Sequence, residues 1–590
     1  MPEINLRKAT AEQLRLLLDL LRWIPIASAA GILAGSASAL LLISLEFATD
    51  VREAHHWLIL LLAPAGLGVG YLYKYLGSSV EAGNNLILEE VHDPKAVIPL
   101  RMTPLILLGT FVTHLFGGSA GREGTAIQTG ASLADQLTRP LRLMPRDRRI
   151  LLMAGISAGF ASVFGTPLAG AVFGIEVLAI GRLSYTAIAP CFIAAFVGDL
   201  VTKAWGVHHT IYRVAEVPTL NVVGILSSMA AGVAFGLVGM AFAKATHAVS
   251  HTARKLIPFA PFRPFAGGIL VSAAVFAIGT TKYIGLGIPT IVASFHGPLP
   301  IYDFAAKFLF TALTIGTGFK GGEVTPLFFI GSTLGNTLSH ILPLPPSLLA
   351  GMGFVAVFAG AANTPIASTL MAVELFGADA GAYAAIACVI SYLFSGHAGI
   401  YQAQRVGRSK HLSTTAEEGM SLALVAKMRD TPPDLLQKID DFRFLEGSLM
   451  EHLSVLRLYF SASEMRRNDS WWKRFAPQTL GPYLLRQAKE HGIEQALLHR
   501  VIGGFLKNQD LIMDTGEIPP ARLPQCLELV GEEEDLQSFL KDNRDHLQNV
   551  RVVFLRGDDA RYEAAIDKEE LEQMLEIEEI DQAQQTRREA

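Results

Sequence analysis

Residues 121–130 read GREGTAIQTG, and residues 321–331 read GGEVTPLFFIG. Both stretches carry the pattern G-x-E-x-T, 200 residues apart, and each lies between long apolar segments. An ionisable side chain placed in hydrocarbon is costly and is usually there for function. Glycine at the same point interrupts a helix and lets the backbone approach a small ligand closely. The flanks repeat too. KYLG (residues 74–77) and KYIG (282–285) precede the two copies, while TPLAGAVFGIE (166–176) and TPIASTLMAVE (364–374) follow them. Three landmarks in one order, at offsets of 208, 200 and 198 residues, identify an internal duplication.

The apolar segments place that duplication in a membrane. The chain has 590 residues, 51% hydrophobic and only 17% charged, against about a quarter charged in an ordinary soluble protein. Residues 221–243, 264–281 and 342–373 carry no charge at all, and runs of this length can cross the hydrocarbon layer as helices. A soluble enzyme is excluded on these grounds. The N-terminus has acidic residues early and does not read as a cleavable signal; residues 11–21 are expected as an amphipathic helix on the membrane surface. Cys191, Cys388 and Cys526 are far apart, without metal-ligand spacing, and read as packing residues. No metal, cofactor or nucleic acid is expected.

Apolar character ends near Tyr401. The expected organisation is an N-terminal helix in 1–21 and an all-α polytopic membrane domain in 22–404, with repeats at about 22–210 and 221–404. A linker (405–450), a small soluble domain (451–557) and an acidic tail (558–590) follow. The loop after the first glutamate motif carries Arg139, Arg142, Arg146, Arg148 and Arg149, whereas its counterpart at 336–347 has no Lys or Arg. Since basic loops stay cytoplasmic, the two halves should be inverted, with broken helices meeting at the midplane.

Glycine-rich breaks open new helices at 82–85, 121–124 and 321–322. Each helix start offers unpaired N–H donors and the positive end of a dipole, so several converging starts make an anion site without a formal positive charge. Glycines that serve only close helix packing account for Gly31 and Gly35, but not for Glu123 and Glu323.

At these residues the sequence resembles the CLC chloride channels and transporters. GREGT is similar to their G-K/R-E-G-P motif, GGEVTP to their G-x-F-x-P motif with Val324 in the Phe place, and Tyr401 to their late pore tyrosine. The resemblance covers about residues 20–404 and implies a homodimer of inverted-repeat subunits, each with its own anion pathway. The departures resemble the fluoride-exporting branch. EAGNNL stands for G-S-G-I-P, which puts Ala82 where that branch often has methionine. Thr125 replaces a proline, Glu323 and Thr325 replace apolar positions, and Val177 falls where chloride/proton exchangers carry an internal glutamate.

The resemblance implies an anion path lined by Gly83, Asn84, Asn85, Arg122, Gly124, Thr125, Val324, Thr325 and Tyr401. In it Glu123 serves as gate and proton carrier, and Glu323 moves protons or orders Asn84 and Thr325. Fluoride is a strong hydrogen-bond acceptor whose dehydration requires donors in return; the asparagines supply amides, or else cap a helix. The function expected is fluoride/proton antiport that exports fluoride from a bacterial cytoplasm. The protein would lie in inner-membrane lipid with both termini cytoplasmic. Chloride/proton exchange, a passive chloride channel and an anion sensor are the other readings.

Beyond residue 450, strand and helix patterns alternate as β-α-β-β-α-β, the ferredoxin-like order. This part resembles small PII-like domains and could take an unknown ligand. Gly503 and Gly504 fit either a ligand loop or a turn, and Trp471 and Trp472 either an interface or a core.

Overall fold

The computed structural model describes residues 6–411, 417–430, 454–461, 464, 479–500, 503–504, 512–513, 524–547 and 550–555. The chain divides into two compact units, 1–430 and 431–590. Trp471, Trp472, most of the expected linker and the acidic tail lie outside the described residues.

The first unit is helical and doubled. Its first half runs α1 (Leu6–Ala54), α2 (Leu62–Leu76), α3 (Asn84–His92), α4 (Met102–Leu115), α5 (Glu123–Asp135), α6 (Pro145–Phe164), α7 (Pro167–Glu176) and α8 (Ile188–Ala204). Its second half runs α9 (Val222–Leu256), α10 (Phe262–Ile278), α11 (Ile288–Ser294), α12 (Asp303–Gly316), α13 (Val324–Leu338), α14 (Pro346–Ala362), α15 (Pro365–Phe376) and α16 (Ala378–Phe394). Four described helical stretches are long and apolar enough to span a membrane: Leu17–Ala54, His56–Leu76, Tyr185–Ala204 and Val222–Leu256. The surface helix expected at 11–21 is not separate from the first of these. Helix α1 continues through it without a break, and Pro25 lies inside the same helix.

Two pairs of contacts fix the inversion. The Glu176 carboxylate, at the end of α7, accepts from the N–H groups of Ile366 (2.9 Å) and Ala367 (2.8 Å) at the start of α15. Glu374, near the end of α15, accepts from Leu168 (2.9 Å) and Ala169 (2.8 Å) at the start of α7. Each helix tail thus caps the other's head, so α7 and α15 run antiparallel. Four of the unpaired N–H groups that helix starts leave behind are satisfied in this way.

Replacing either carboxylate should cost about 1 kcal/mol as a lost cap. Glu176 is buried and Leu168 is exposed, so water can replace the Glu374 cap more readily. Glu176→Ala is therefore expected to lower the detergent-solubilised melting temperature more than Glu374→Ala. Wild-type melting in both variants would refute the reciprocal capping.

Close glycine contacts repeat in the same symmetry. A Cβ on Gly331 would fall 2.0 Å from the Gly353 carbonyl where α13 crosses α14, and one on Gly130 would fall 2.5 Å from the Gly155 carbonyl where α5 crosses α6. Packing is the correct account of these glycines.

After α16 the chain does not leave the helical unit at 405. Strand β2 (Arg405–Val406) pairs in parallel with β1 (Ala179–Ile180). Helix α17 (Leu422–Asp430) then buries Leu422 and Val425 against Ile180 and Val406.

The second unit has a four-stranded antiparallel sheet built from β3 (Ser454–Ser461), β4 (Gln495–Arg500), β7 (Pro524–Gly531) and β8 (Arg551–Leu555). Its order, β4-β7-β3-β8, is that of the ferredoxin-like arrangement. Leu456, Leu458, Phe460, Leu527 and Leu529 pack on α18 (Leu480–Glu490) and α19 (Glu533–Asp542) through Leu484, Leu536 and Phe539. Gly503 and Gly504 form neither a turn nor a loop tip. They are strand β5, paired with β6 (Ile512–Met513).

Candidate functional site

The two glutamate motifs meet. The Gly121 N–H donates to the Gly322 carbonyl (2.6 Å) and the Gly322 N–H to the Gly121 carbonyl (2.8 Å), an antiparallel bridge between the halves. Helices α5 and α13 both begin at this crossing, so their positive ends face one region of the protein interior.

Glu123 is fully buried there. Its Oε2 accepts from the Arg122 N–H (3.0 Å) and the Thr325 N–H (3.0 Å), and its Oε1 from the Thr325 hydroxyl. The Arg122 Nε lies 3.8 Å from Oε1. A side chain from α5 thus occupies N-terminal donors of α13. Charge-assisted bonds of this kind are roughly twice as strong as neutral ones.

Three cavities adjoin this point. A broad vestibule of 560 Å³ is lined by Gly83, Asn84, Asn85, Gln128, Glu323 and Tyr401, among others. Beyond it, an inner chamber of 10 Å³ lies among Asn84, Val177, Tyr401 and apolar side chains, room for about one water-sized species. The Asn84 Oδ1 and the Tyr401 hydroxyl are buried there with no hydrogen-bond partner. A third chamber of 20 Å³ is lined by Arg122, His209, Tyr212, Thr325 and aromatic rings.

Local sequence explains the placement. Gly83 has φ +58°, a conformation that favours glycine, and a Cβ there would press on the Gln128 amide at 3.2 Å. This glycine, without a side chain to bond, is the N-cap of α3; Asn84 and Asn85 are the first two helical residues and cap nothing. Asn85 Oδ1 accepts from the Ala403 N–H (3.1 Å), which ties α3 to the loop carrying Tyr401. The Asn84 Nδ2 lies 3.1 Å from where a Gly124 Cβ would be, so the missing side chain at 124 lets the amide reach the crossing.

Not every expected site residue faces the path. Thr125 hydrogen-bonds the Thr110 hydroxyl (2.6 Å) on α4, away from the chambers. Val324 is a buried core residue at the start of α13. The Thr325 hydroxyl is held by Glu123 rather than ordered by Glu323. Glu323 is the N-cap of α13 and lines the vestibule.

Sequence reasoning missed Gln128, Lys320 and His209. Lys320 lies against the Tyr73 ring (3.9 Å to its centre) at the vestibule wall. A signal was available for two of them, since Gln128 stands one helical turn past Gly124 and Lys320 directly precedes the second motif.

The arrangement is a doubled helical membrane unit with a buried carboxylate where its two halves cross. The model of the family described as voltage gated chloride channel matches residues 61–396. A chloride/fluoride channel protein of Pseudomonas syringae pv. tomato is 58% identical over 413 residues, covering 69% of this chain and 91% of that protein. An H(+)/Cl(-) exchange transporter of Vibrio vulnificus is 25% identical over 378 residues, covering 59% of this chain and 81% of its own. The crystal structure of a CLC-type fluoride/proton antiporter superposes with a TM-score of 0.64 at 35% identity, over 66% of this chain and 99% of that one. The chain belongs to the CLC family. It is an anion-transport protein of the membrane, and the members of its family are transporters and channels rather than enzymes.

Proposed function

We propose that the protein is a fluoride/proton antiporter that exports fluoride, with Glu123 as both gate and proton carrier. The observation that carries this reading is the three-donor hold of Thr325 and the Arg122 N–H on a fully buried carboxylate. An anion and a carboxylate cannot comfortably share those donors in a site of low dielectric. Either the anion leaves, or Glu123 takes up a proton, loses its grip as an acceptor and swings clear. Alternation between the two states couples anion movement one way to proton movement the other way.

Several features favour fluoride. A small, strongly hydrated anion needs good donors in return for its water. Asn84 and the unpaired Tyr401 hydroxyl line one chamber and Thr325 lines another, so each offers a donor near the crossing. Val177 puts an apolar side chain into the inner chamber, so protons need another route inward, and Glu323 in the vestibule wall supplies an acid for it. The names of the fluoride-handling relatives agree. We place the protein as a homodimer in a bacterial inner membrane, both termini cytoplasmic, with a site in each subunit and a C-terminal domain open to regulation by a small ligand.

The test is efflux from liposomes loaded with fluoride or chloride, with external pH recorded in parallel. Fluoride efflux is expected to exceed chloride efflux at least about tenfold, or about 1.4 kcal/mol of discrimination, with protons moving the opposite way. Asn84→Leu should erase most of that preference. Equal or faster chloride efflux would replace this reading with chloride/proton exchange, the activity named for the Vibrio relative.

A further inference from the structure

Glu123 is fully buried. Next to the Thr325 that holds it lies the third chamber, whose polar lining is Arg122, His209, Thr210, Tyr212 and Thr325. Thr325 is also the residue that holds the Glu123 carboxylate, so the chamber begins where the gate ends. Its 20 Å³ admit about one water.

His209 is built into this wall. It lies in the segment between α8 and α9, with its ring against Gly165, the residue that ends α6. Gly165 has φ +71°, and a Cβ there would fall 2.4 Å from the His209 Cδ2. The glycine therefore both closes the helix and makes room for the imidazole. The His209 Nε2 is buried without a hydrogen-bond partner, as is the Arg122 Nε. An unpaired ring nitrogen on the chamber lined by Thr325, which holds the Glu123 carboxylate, is an unused acid–base group.

The charged groups around it act in opposite directions. Burial and the Arg122 guanidinium push the imidazole toward its neutral form, helped by Lys203 and His208, while Asp199 pulls it back. The carbonyl end of α6 also favours the protonated ring. Asp199 is ion-paired with Lys203 at 2.7 Å and keeps its Oδ1 without a hydrogen bond. Tyr212 lines the same chamber as Arg122. A ring that is neutral at rest, with charge within reach, can take a proton and pass it on.

We propose that His209 is a proton relay between the outer solution and Glu123, working across the chamber it shares with Arg122 and Thr325. A proton arrives on the imidazole from the solution side. One then leaves Nε2, directly or through a single water, for a Glu123 carboxylate oxygen. The carboxylate becomes neutral and the imidazole returns to its starting charge. The inference rests on the antiport reading above and adds the route by which the gate is protonated.

The experiment compares wild type, His209→Phe and His209→Gln in fluoride-loaded liposomes, with pH varied on the chamber side. Both variants are expected to slow coupled fluoride/proton exchange about tenfold or more, as for a lost acid–base group, and to flatten its dependence on chamber-side pH. Added imidazole should restore part of the rate in His209→Gln. In a Glu123→Gln background, where no proton need be delivered, His209→Phe should leave fluoride efflux as it was. Wild-type rates and pH dependence in both variants would overturn the relay. So would an equal fall of efflux in the Glu123→Gln background, which would make His209 part of the anion path instead. Wild-type protein that moves fluoride without protons would sink the antiport reading itself, and the relay with it.

Discussion

Glu123→Gln is expected to abolish proton movement, by about a hundredfold or more, while fluoride still crosses and no longer responds to pH. Three donors converge on the carboxylate: the N–H groups of Arg122 and Thr325 and the Thr325 hydroxyl. An ionised carboxylate has only acceptors to offer them. A glutamine offers one carbonyl oxygen, and its amide nitrogen would turn N–H bonds toward donors. One end of the substituted side chain is then always mismatched, so the donors at the start of α13 are released to an anion. In that respect glutamine imitates protonated Glu123, permanently. Simultaneous recording of fluoride and proton fluxes in liposomes checks the expectation. Persistent proton movement in the variant would place the proton carrier elsewhere, with Glu323 as the first candidate. Loss of both fluxes would mean that Glu123 is needed to bind the anion rather than to compete with it.

How much of this could be read beforehand depended on whether the information was local. G-x-E-x-T is a local pattern, and it located both glutamates, both helix starts and the duplication. The inversion was legible through basic charge, although Arg146, Arg148 and Arg149 of that stretch lie in α6 and Arg148 is a buried ion-pair residue. Glu176 and Glu374 were visible as the ends of the repeated TPLAGAVFGIE and TPIASTLMAVE segments. Their partners were not, because each carboxylate reaches a helix start about 190 or more residues away in the chain. The same limit applies at the site. Thr125 has the right neighbours in sequence, yet its hydroxyl goes to Thr110 across a helix contact. His209 lies in a segment without a motif, and only the folding of that segment over Gly165 brings it to the chamber. Asn84 and Asn85 were ambiguous between capping and donation, since both roles suit asparagine at a helix start. Gly83 as N-cap decides against capping.

Arg148→Met should cost about 3–5 kcal/mol, the range for removing one partner from a buried ion pair. The guanidinium donates from Nε to Asp135 Oδ1 (2.8 Å), from Nη2 to Asp135 Oδ2 (2.8 Å) and from Nη1 to Glu90 Oε2 (2.7 Å), with a further bond to the Ala96 carbonyl (2.6 Å). Its side chain is 6% exposed, and those of Asp135 and Glu90 are 0% and 10% exposed. The three residues belong to α6, α5 and α3, so one cation joins the helix that carries Asn84 to the helix that carries Glu123. Without it two carboxylates face each other with little water. Lysine cannot reproduce the two-pronged bond to Asp135, so Arg148→Lys should recover only part of the loss. The triple change Arg148→Met, Asp135→Asn, Glu90→Gln removes the stranded charges and should melt closer to wild type than Arg148→Met alone, as buried ion groups replaced together often do. Thermal unfolding of the detergent-solubilised protein separates the outcomes. If Arg148→Met melts with wild type, the network contributes nothing to holding α3, and the position of Asn84 must be set by its tie to the Tyr401 loop.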